Sequence, residues 1–111
     1  MMDADKYQEL ASRTIPTQIP IEQECHALHG MVAEIGELHS IYQKRYQRHL
    51  ESSNEHRKKE LGDLLWFIAE YCTGCGWSLD EIATLNIDKL KSRYPKGFEP
   101  ERSLHRAEGD I

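Results

Sequence analysis

Apolar residues recur at intervals of three and four along most of the chain, which is the period of an α-helix. Proline, glycine and capping residues divide this pattern into four predicted helices, over residues 3–13, 21–49, about 54–75 and 79–94. Ile15-Pro16 and Ile19-Pro20 predict an extended linker over residues 14–20, because the residue before a proline avoids the α region. No stretch of useful length alternates as a strand does.

Capping signals lie at the ends of these predicted helices. Ser53 or Asn54 can cap the third helix, and Gly74 and Gly76 lie where that helix would end. Residues 78–81, Ser-Leu-Asp-Glu, have the form of a capping box at the start of the fourth helix. The charged residues 95–111 predict an irregular tail. We therefore expect a single all-α domain over residues 1–111, a four-helix-type bundle in which neighbouring long helices run antiparallel.

The third helix carries an apolar stripe, which predicts that six side chains face the core: Leu61, Leu64, Leu65, Ile68, Cys72 and Cys75. A similar stripe at helical spacing follows the second helix: Cys25, Leu28, Val32, Ile35, Leu38 and Tyr42. With Trp66, Phe67 and Tyr71, apolar side chains surround most of the third helix, more than one neighbouring helix can cover. Because a chain of 111 residues has a small core, we expect a second subunit to cover the remainder.

Composition and charge exclude several classes of protein. The net charge is −5 and no dense run of Lys and Arg is present, so binding to duplex nucleic acid is not expected. The longest apolar stretch, residues 64–69, is too short to cross a membrane, and the N-terminal residues lack the basic and apolar regions of a signal peptide. A cytoplasmic location is expected. An odd number of cysteines argues against a disulfide framework, and Cys72 and Cys75 are interpreted as packed thiols, not a zinc or redox site.

Two pairs of acidic residues stand three residues apart: Glu34 with Glu37 on the second helix, and Glu60 with Asp63 on the third. Each pair projects from one side of its helix and interrupts an apolar stripe. Four carboxylates gathered inside a bundle repel one another, unless a hard cation compensates them or some become protonated. Ligation by oxygen atoms alone favours Mg²⁺ or Mn²⁺.

Glycine occurs inside both acidic pairs, at Gly36 and Gly62. Glycine within a helix costs about 0.5–1 kcal/mol relative to alanine, so either a close approach of helices or room for a ligand would explain it. One acidic pair alone is more typical of a solvated helix face. Two such pairs on adjacent helices favour a metal site.

The fourth helix presents an amide and two cations on one face. Asn86, Lys89 and Arg93 fall within about 60° of one another on a helix that turns 100° per residue, and such groups suit phosphate and sugar oxygens. The alternative is a solvated basic face paired with Asp88 or Glu81.

Other residues are weaker candidates. His26 and His29 are three residues apart, but no third ligand is near in sequence, so they are interpreted as ordinary helix residues. Trp66, Phe67 and Tyr42 can stack on a base, yet aromatic residues at helical spacing usually belong to a core. The sequence therefore assigns no base pocket.

The chain also resembles a known family. Glu34-Ile35-Gly36-Glu37, then 22 residues, then Glu60-Leu61-Gly62-Asp63 is similar to the E-x-x-E…E-x-x-D signature of MazG-like all-α nucleotide pyrophosphohydrolases. Residues 86–98 resemble the closing helix of that family and its R-Y-P-x-G-F exit. The resemblance covers roughly residues 27–106.

This resemblance implies a function. The four acids would bind magnesium and hold a nucleoside triphosphate for attack by water at the α-phosphorus, which yields a monophosphate and pyrophosphate. Glu37 is the choice, among four similar groups, for the carboxylate that accepts the proton of the water. The resemblance also implies a homodimer or a dimer-based tetramer, with nucleotide sites near the subunit interface.

Two other kinds of helical protein carry acidic residues on neighbouring helices. A di-iron carboxylate bundle typically contains E-x-x-H motifs, and no Glu of this chain has a His three residues later. A non-catalytic helical dimerisation or adaptor module, with solvated acids, remains open.

Overall fold

The computed structural model describes residues 1–48 and 53–105 and contains five helices in these ranges. They are α1 (Ala4–Ser12), α2 (Pro20–Arg48), α3 (Asn54–Cys75), α4 (Leu79–Arg93) and α5 (Pro100–Leu104). Apart from one bridge between Pro95 and Gly97, the regular structure of these ranges is helical, and the all-α prediction is confirmed. The predicted end of the second helix at His49, and the tail beyond residue 105, lie outside the described residues.

Local chemistry sets the helix ends. The side chain of Ser53 accepts a hydrogen bond from the backbone N–H of His56 at 3.0 Å. Gly76 ends α3 at φ 73°, a left-handed conformation that glycine adopts without steric cost. The capping box of α4 is confirmed, because Ser78 and Glu81 bond to each other's backbone N–H at 3.0 and 2.8 Å.

Three helix starts differ from the sequence-based expectation. α1 begins at Ala4, with Asp3 as its N-cap, and proline explains the other two. α2 begins at Pro20, one residue early, since proline suits the first turn, where its missing N–H is not needed. Within the segment predicted to be irregular, Pro100 starts the short helix α5, so that prediction is wrong for five residues.

The long helices α2 and α3 run antiparallel, as predicted. Gly30 of α2 packs against Phe67 of α3 so closely that a Cβ atom on Gly30 would lie 2.1 Å from Phe67 Cε1. Earlier on α2 and later on α3, a Cβ on Gly74 would lie 3.1 Å from Gln23 Cβ. Positions on the two helices therefore meet in reverse order, and this seam between α2 and α3 carries the acidic pairs.

Helix α1 and the linker fasten onto α3. The amide of Gln8 donates to the carbonyl of Trp77 at 2.9 Å and accepts from the N–H of Leu79 at 2.7 Å. Further along, the indole N–H of Trp66 donates to the Thr14 hydroxyl at 2.8 Å. These bonds hold α1 at the corner between α3 and α4, on one side of the seam.

The core of the described chain is small and consists of Ala11, Ile15, Ala27, Ala69 and Cys72. Leu61 and Leu65 are exposed, so the prediction that they face the core is wrong for a single chain. The physical reason is that α3 has too few covering neighbours within one chain. None of the described helices combines the length and apolarity that crossing a membrane requires.

Candidate metal centre

The seam between α2 and α3 gathers three carboxylates. One oxygen atom each of Glu34, Glu37 and Glu60 lies within 4.8 Å of the others. The three carboxylates meet because α2 and α3 are antiparallel, which places the turn of α2 that carries Glu34 and Glu37 opposite the turn of α3 that carries Glu60. The exposed residue Asp63 does not belong to this group of three.

Two oxygens of this carboxylate cluster lack any partner. The Oε2 atoms of Glu34 and Glu60 are buried and have no hydrogen-bond partner among the described residues. An ionised carboxylate can only accept hydrogen bonds, so neighbouring carboxylates cannot satisfy each other without a proton. A positive group or a proton must therefore compensate the cluster.

The electrostatics of the three acids follow from this crowding. The pKa of Glu34 is raised from 4.5 to about 7. Burial is the largest cause, followed by a hydrogen bond with Glu60 and by the negative charges of the neighbouring acids. A hydrogen bond with Glu60 and the charge of Glu60 raise the pKa of Glu37. The same hydrogen bonds, from Glu37 and Glu34, lower the pKa of Glu60. The crowding therefore favours a proton on Glu34 or Glu37 and an ionised carboxylate on Glu60.

Asp63 acts on the cluster through its charge. It contributes to the raised pKa values of Glu34 and Glu37. It also raises the pKa of Tyr7, although burial is the larger cause there. Tyr7 of α1 therefore lies within the electrostatic reach of the acids, which the sequence did not indicate. The role of Asp63 as a ligand stays a prediction.

The two glycines of the acidic pairs face open space. A Cβ atom on Gly36 or on Gly62 would meet no heavy atom within 4 Å. Close helix approach is therefore the wrong explanation for both, and Gly30 is the residue that provides it. Of the two explanations, room for a ligand is the one that this open space is compatible with.

A cavity of about 290 Å³ opens beside the carboxylate cluster. Five of its six lining residues have polar or charged side chains, with groups of both charges, and Ile41 is apolar: Glu37, Ser40, Ile41, Lys44, His56 and Glu60. His56 Nε2 lies 3.4 Å from Glu60 Oε1. Lys44 and His56 were missed by the sequence reasoning, although their spacing of seven residues after Glu37 and four before Glu60 places them on the same faces.

The predicted phosphate residues are on α4, which packs mainly against α1. Asn86 and Lys89 are exposed, and the guanidinium carbon of Arg93 lies 6.0 Å from the ring centre of Tyr94. The acids lie on α2 and α3, so the sharing of one ligand by α4 and the acids stays a prediction.

A second polar pair in the seam was also missed. Glu70 is only 1% exposed, and both of its carboxylate oxygens lie 2.8 Å from His26 Nδ1. The signal in the sequence was the spacing of Glu60, Asp63, Phe67 and Glu70, which continues the row of acids along one face of α3. Cys72 and Cys75 form no disulfide among the described residues, and burial is the main cause that raises the pKa of each thiol.

The chemistry of the cluster fits a hard divalent cation. Its donors are all carboxylate oxygens, and two of them are buried without a donor to satisfy them. An all-α fold whose two longest helices bring such donors together beside a cavity defines a helical domain with a carboxylate cluster that is suited to a divalent cation.

Comparison with known protein families identifies the family to which this helical domain belongs. The family model of the MazG nucleotide pyrophosphohydrolase domain matches residues 23–98, more than half of the chain. The chain belongs to the MazG nucleotide pyrophosphohydrolase family, as the resemblance predicted. No curated protein and no solved structure matches it.

Proposed function

We propose that the protein is a Mg²⁺-dependent hydrolase that converts a nucleoside or deoxynucleoside triphosphate and water to the monophosphate and pyrophosphate. The observation that carries this proposal is the carboxylate cluster with its two buried, unpartnered oxygens. A cluster of this kind is costly without a cation, and membership of the family supplies the class of reaction.

Glu34, Glu37, Glu60 and Asp63 would hold Mg²⁺, or Mn²⁺ in its place. A bound divalent cation lowers the pKa of water and neutralises charge on phosphate oxygens. Asp63 would complete the set, since its charge already acts on Glu34 and Glu37.

Glu37 is the residue that we assign to proton transfer. It is exposed, whereas Glu34 and Glu60 are half-buried, so of the three clustered carboxylates it is the one best placed to accept a proton from water and pass it to solvent. The oxygen of the attacking water bonds to the α-phosphorus while the bond to the bridging oxygen of the β-phosphate breaks. The water proton passes to Glu37, and pyrophosphate leaves.

Cationic side chains would bind the phosphates. Lys44 and His56 line the cavity beside the cluster and suit the terminal phosphates. Asn86, Lys89 and Arg93 would contact phosphate or sugar oxygens from α4, through a charge-assisted set of hydrogen bonds.

The protein is proposed to be a homodimer or a dimer-based tetramer. Exposed apolar side chains repeat along α2 with the spacing of a heptad: Leu28, Val32, Ile35, Tyr42 and Tyr46. At 100° per residue these side chains lie on the face of α2 opposite to Glu34 and Glu37. Leu61 and Leu65 of α3 are exposed as well. A second copy that packs on this apolar face would cover it and leave the acids accessible.

The test is a panel of nucleoside triphosphates with and without Mg²⁺. We expect monophosphate and pyrophosphate only with the metal, and in H₂¹⁸O the label should enter the monophosphate. Label in pyrophosphate would place the attack at the β-phosphorus and contradict the mechanism. A non-catalytic adaptor would release neither product with any nucleotide.

A further inference from the structure

Glu70 is the largest side chain that is fully buried in the described part of the chain. An ionised carboxylate is costly to bury unless it is paired and hydrogen-bonded. His26 supplies that partner across the seam, with Nδ1 2.8 Å from both carboxylate oxygens.

This contact fixes the imidazole ring. A carboxylate accepts, so the proton of the pair lies on Nδ1 and Nε2 is left for another partner. The side chain of Glu70 is 0% exposed and that of His26 is 44% exposed. The pair therefore reaches the surface only through the imidazole.

Aromatic neighbours hold the same ring from other sides. The ring centre of His26 lies 6.1 Å from that of Trp66 and 5.6 Å from that of Phe67, both edge to face. Trp66 and Phe67 are themselves 5.0 Å apart, and the indole N–H is satisfied by Thr14. These three rings, of His26, Trp66 and Phe67, form a fixed aromatic patch. Among the described residues, Nε2 of His26 is the one polar ring atom of the patch without a hydrogen-bond partner, so it can bond to a ligand.

The aromatic patch lies on the same line as the acids. Glu70 follows Asp63 by seven residues, which is two turns of helix and about 10 Å along α3. Phe67, between them, packs on Gly30. On α2, His26, Gly30, Glu34 and Glu37 follow one another at intervals of four, four and three residues, so they share one row of the helix surface. A ligand that runs from the carboxylate cluster along the surface of this row, over the contact between Phe67 and Gly30, would reach His26.

The two ends of the cluster differ in chemistry. Lys44 and His56 lie at one end, in the polar cavity, and the aromatic patch lies beyond the other. A nucleoside triphosphate has a polyanion on one side of its α-phosphate and a flat aromatic base on the other. The nucleotide therefore fits the seam in one orientation, with its phosphates beside Lys44 and His56 and its base beside the aromatic patch.

Building on the proposed function, we propose that His26 contacts the nucleobase through Nε2 and helps to select the base, and that Glu70 positions His26. A purely structural pair would affect all nucleotides equally. Loss of a pair that selects the base changes the ratio of kcat/KM between nucleotides with different bases.

The test compares kcat/KM for triphosphates of the four bases in wild type and in H26N, with H29N as a control on the same helix. Loss of one hydrogen bond predicts that the ratio between the best and worst base changes by about tenfold in H26N. H29N should keep the wild-type ratio. Glu70→Gln should change the ratio in the same direction as H26N. An equal fall for every base, with a lower melting temperature, would overturn the proposal.

A second measurement needs no turnover. In wild-type protein, the imidazole NMR signal of His26 should shift on addition of a nucleoside monophosphate and stay in place with pyrophosphate alone, while His29 responds to neither. An immobile His26 signal, or one that moves equally with pyrophosphate, contradicts base contact. Absence of hydrolysis with every triphosphate would instead refute the proposed function, and the NMR result would still decide the role of His26.

Discussion

Glu34 and Glu60 meet across the seam between α2 and α3, and each has a buried Oε2 atom without a hydrogen-bond partner in the described part of the chain. Such an arrangement lowers stability, because like charges are brought together where water cannot solvate them fully. Proteins keep arrangements that lower stability mainly at functional sites. The cost has measurable consequences.

The first prediction concerns pH. The pKa of Glu34 is raised from 4.5 to about 7, so folding takes up a proton that the unfolded chain releases. The metal-free protein should therefore lose stability as pH rises from about 4.5 to about 7. Glu37 acts in the same direction, and the lowered pKa of Glu60 acts below this window. Thermal melts in EDTA at several pH values measure how the melting temperature changes with pH. A melting temperature that stays constant or rises between about pH 4.5 and about pH 7 would contradict the raised pKa of Glu34.

The second prediction is that Glu34→Gln stabilises the metal-free protein while it abolishes activity. Glutamine removes a negative charge from the cluster and its amide can donate to a neighbouring carboxylate. Melts at pH 8 without metal should show a higher melting temperature than wild type. Mg²⁺ should raise the melting temperature of wild type but not that of the variant. A destabilised variant that still responds to Mg²⁺ would count against the site.

Loss of Glu60 is the third prediction. Glu60→Ala should reduce kcat by at least about a hundredfold, since substitution even of outer partners of metal ligands costs 10–100-fold. The far-ultraviolet circular dichroism should remain helical. Glu55→Gln is the matched control, because Glu55 lies on the same helix in an exposed ion pair with Lys59 at 3.5 Å. Activity that survives in Glu60→Ala would refute the metal role.

The fourth prediction concerns the cations of α4. Lys89→Gln and Arg93→Gln should each lower kcat/KM by about tenfold or more, the usual worth of a charge-assisted hydrogen bond. Metal binding, measured by the Mg²⁺-induced change in melting temperature, should not change. Lys91→Gln provides the control, because Lys91 is exposed and points away from that face of the helix. If both variants had wild-type kinetics, Lys89 and Arg93 would belong to a solvated basic face and would not bind the phosphates.

Subunit assembly gives the fifth prediction. Val32 is 74% exposed in the single chain and lies within the heptad row of α2. Val32→Glu would bury a charge in the proposed interface and should weaken self-association at least about a hundredfold. Sedimentation at micromolar concentration should show a dimer or larger assembly for wild type and monomer for the variant. Ala83→Glu, at an exposed position of α4, should assemble normally, and an active wild-type monomer would refute the proposal.

The local elements could be predicted because their causes are local. Ser53, Gly76 and the pair Ser78 and Glu81 set helix ends through bonds to nearby backbone groups, and these signals are readable in the sequence. The acidic pairs and the family were readable for the same reason, since each motif is short. Pro100, which starts α5, was a readable signal that the charge of the tail obscured.

Long-range pairing decided the rest. The sequence by itself determined that Glu34, Glu37 and Glu60 lie on faces of two helices that can meet, because helical period fixes the face of every residue. Only the tertiary structure decided which residues meet. It paired His26 with Glu70, placed Lys44 in the lining of the same cavity as Glu37 and Glu60, and left Leu61 exposed. The register between two helices depends on packing such as that of Phe67 on Gly30, and no local pattern in either helix specifies that contact.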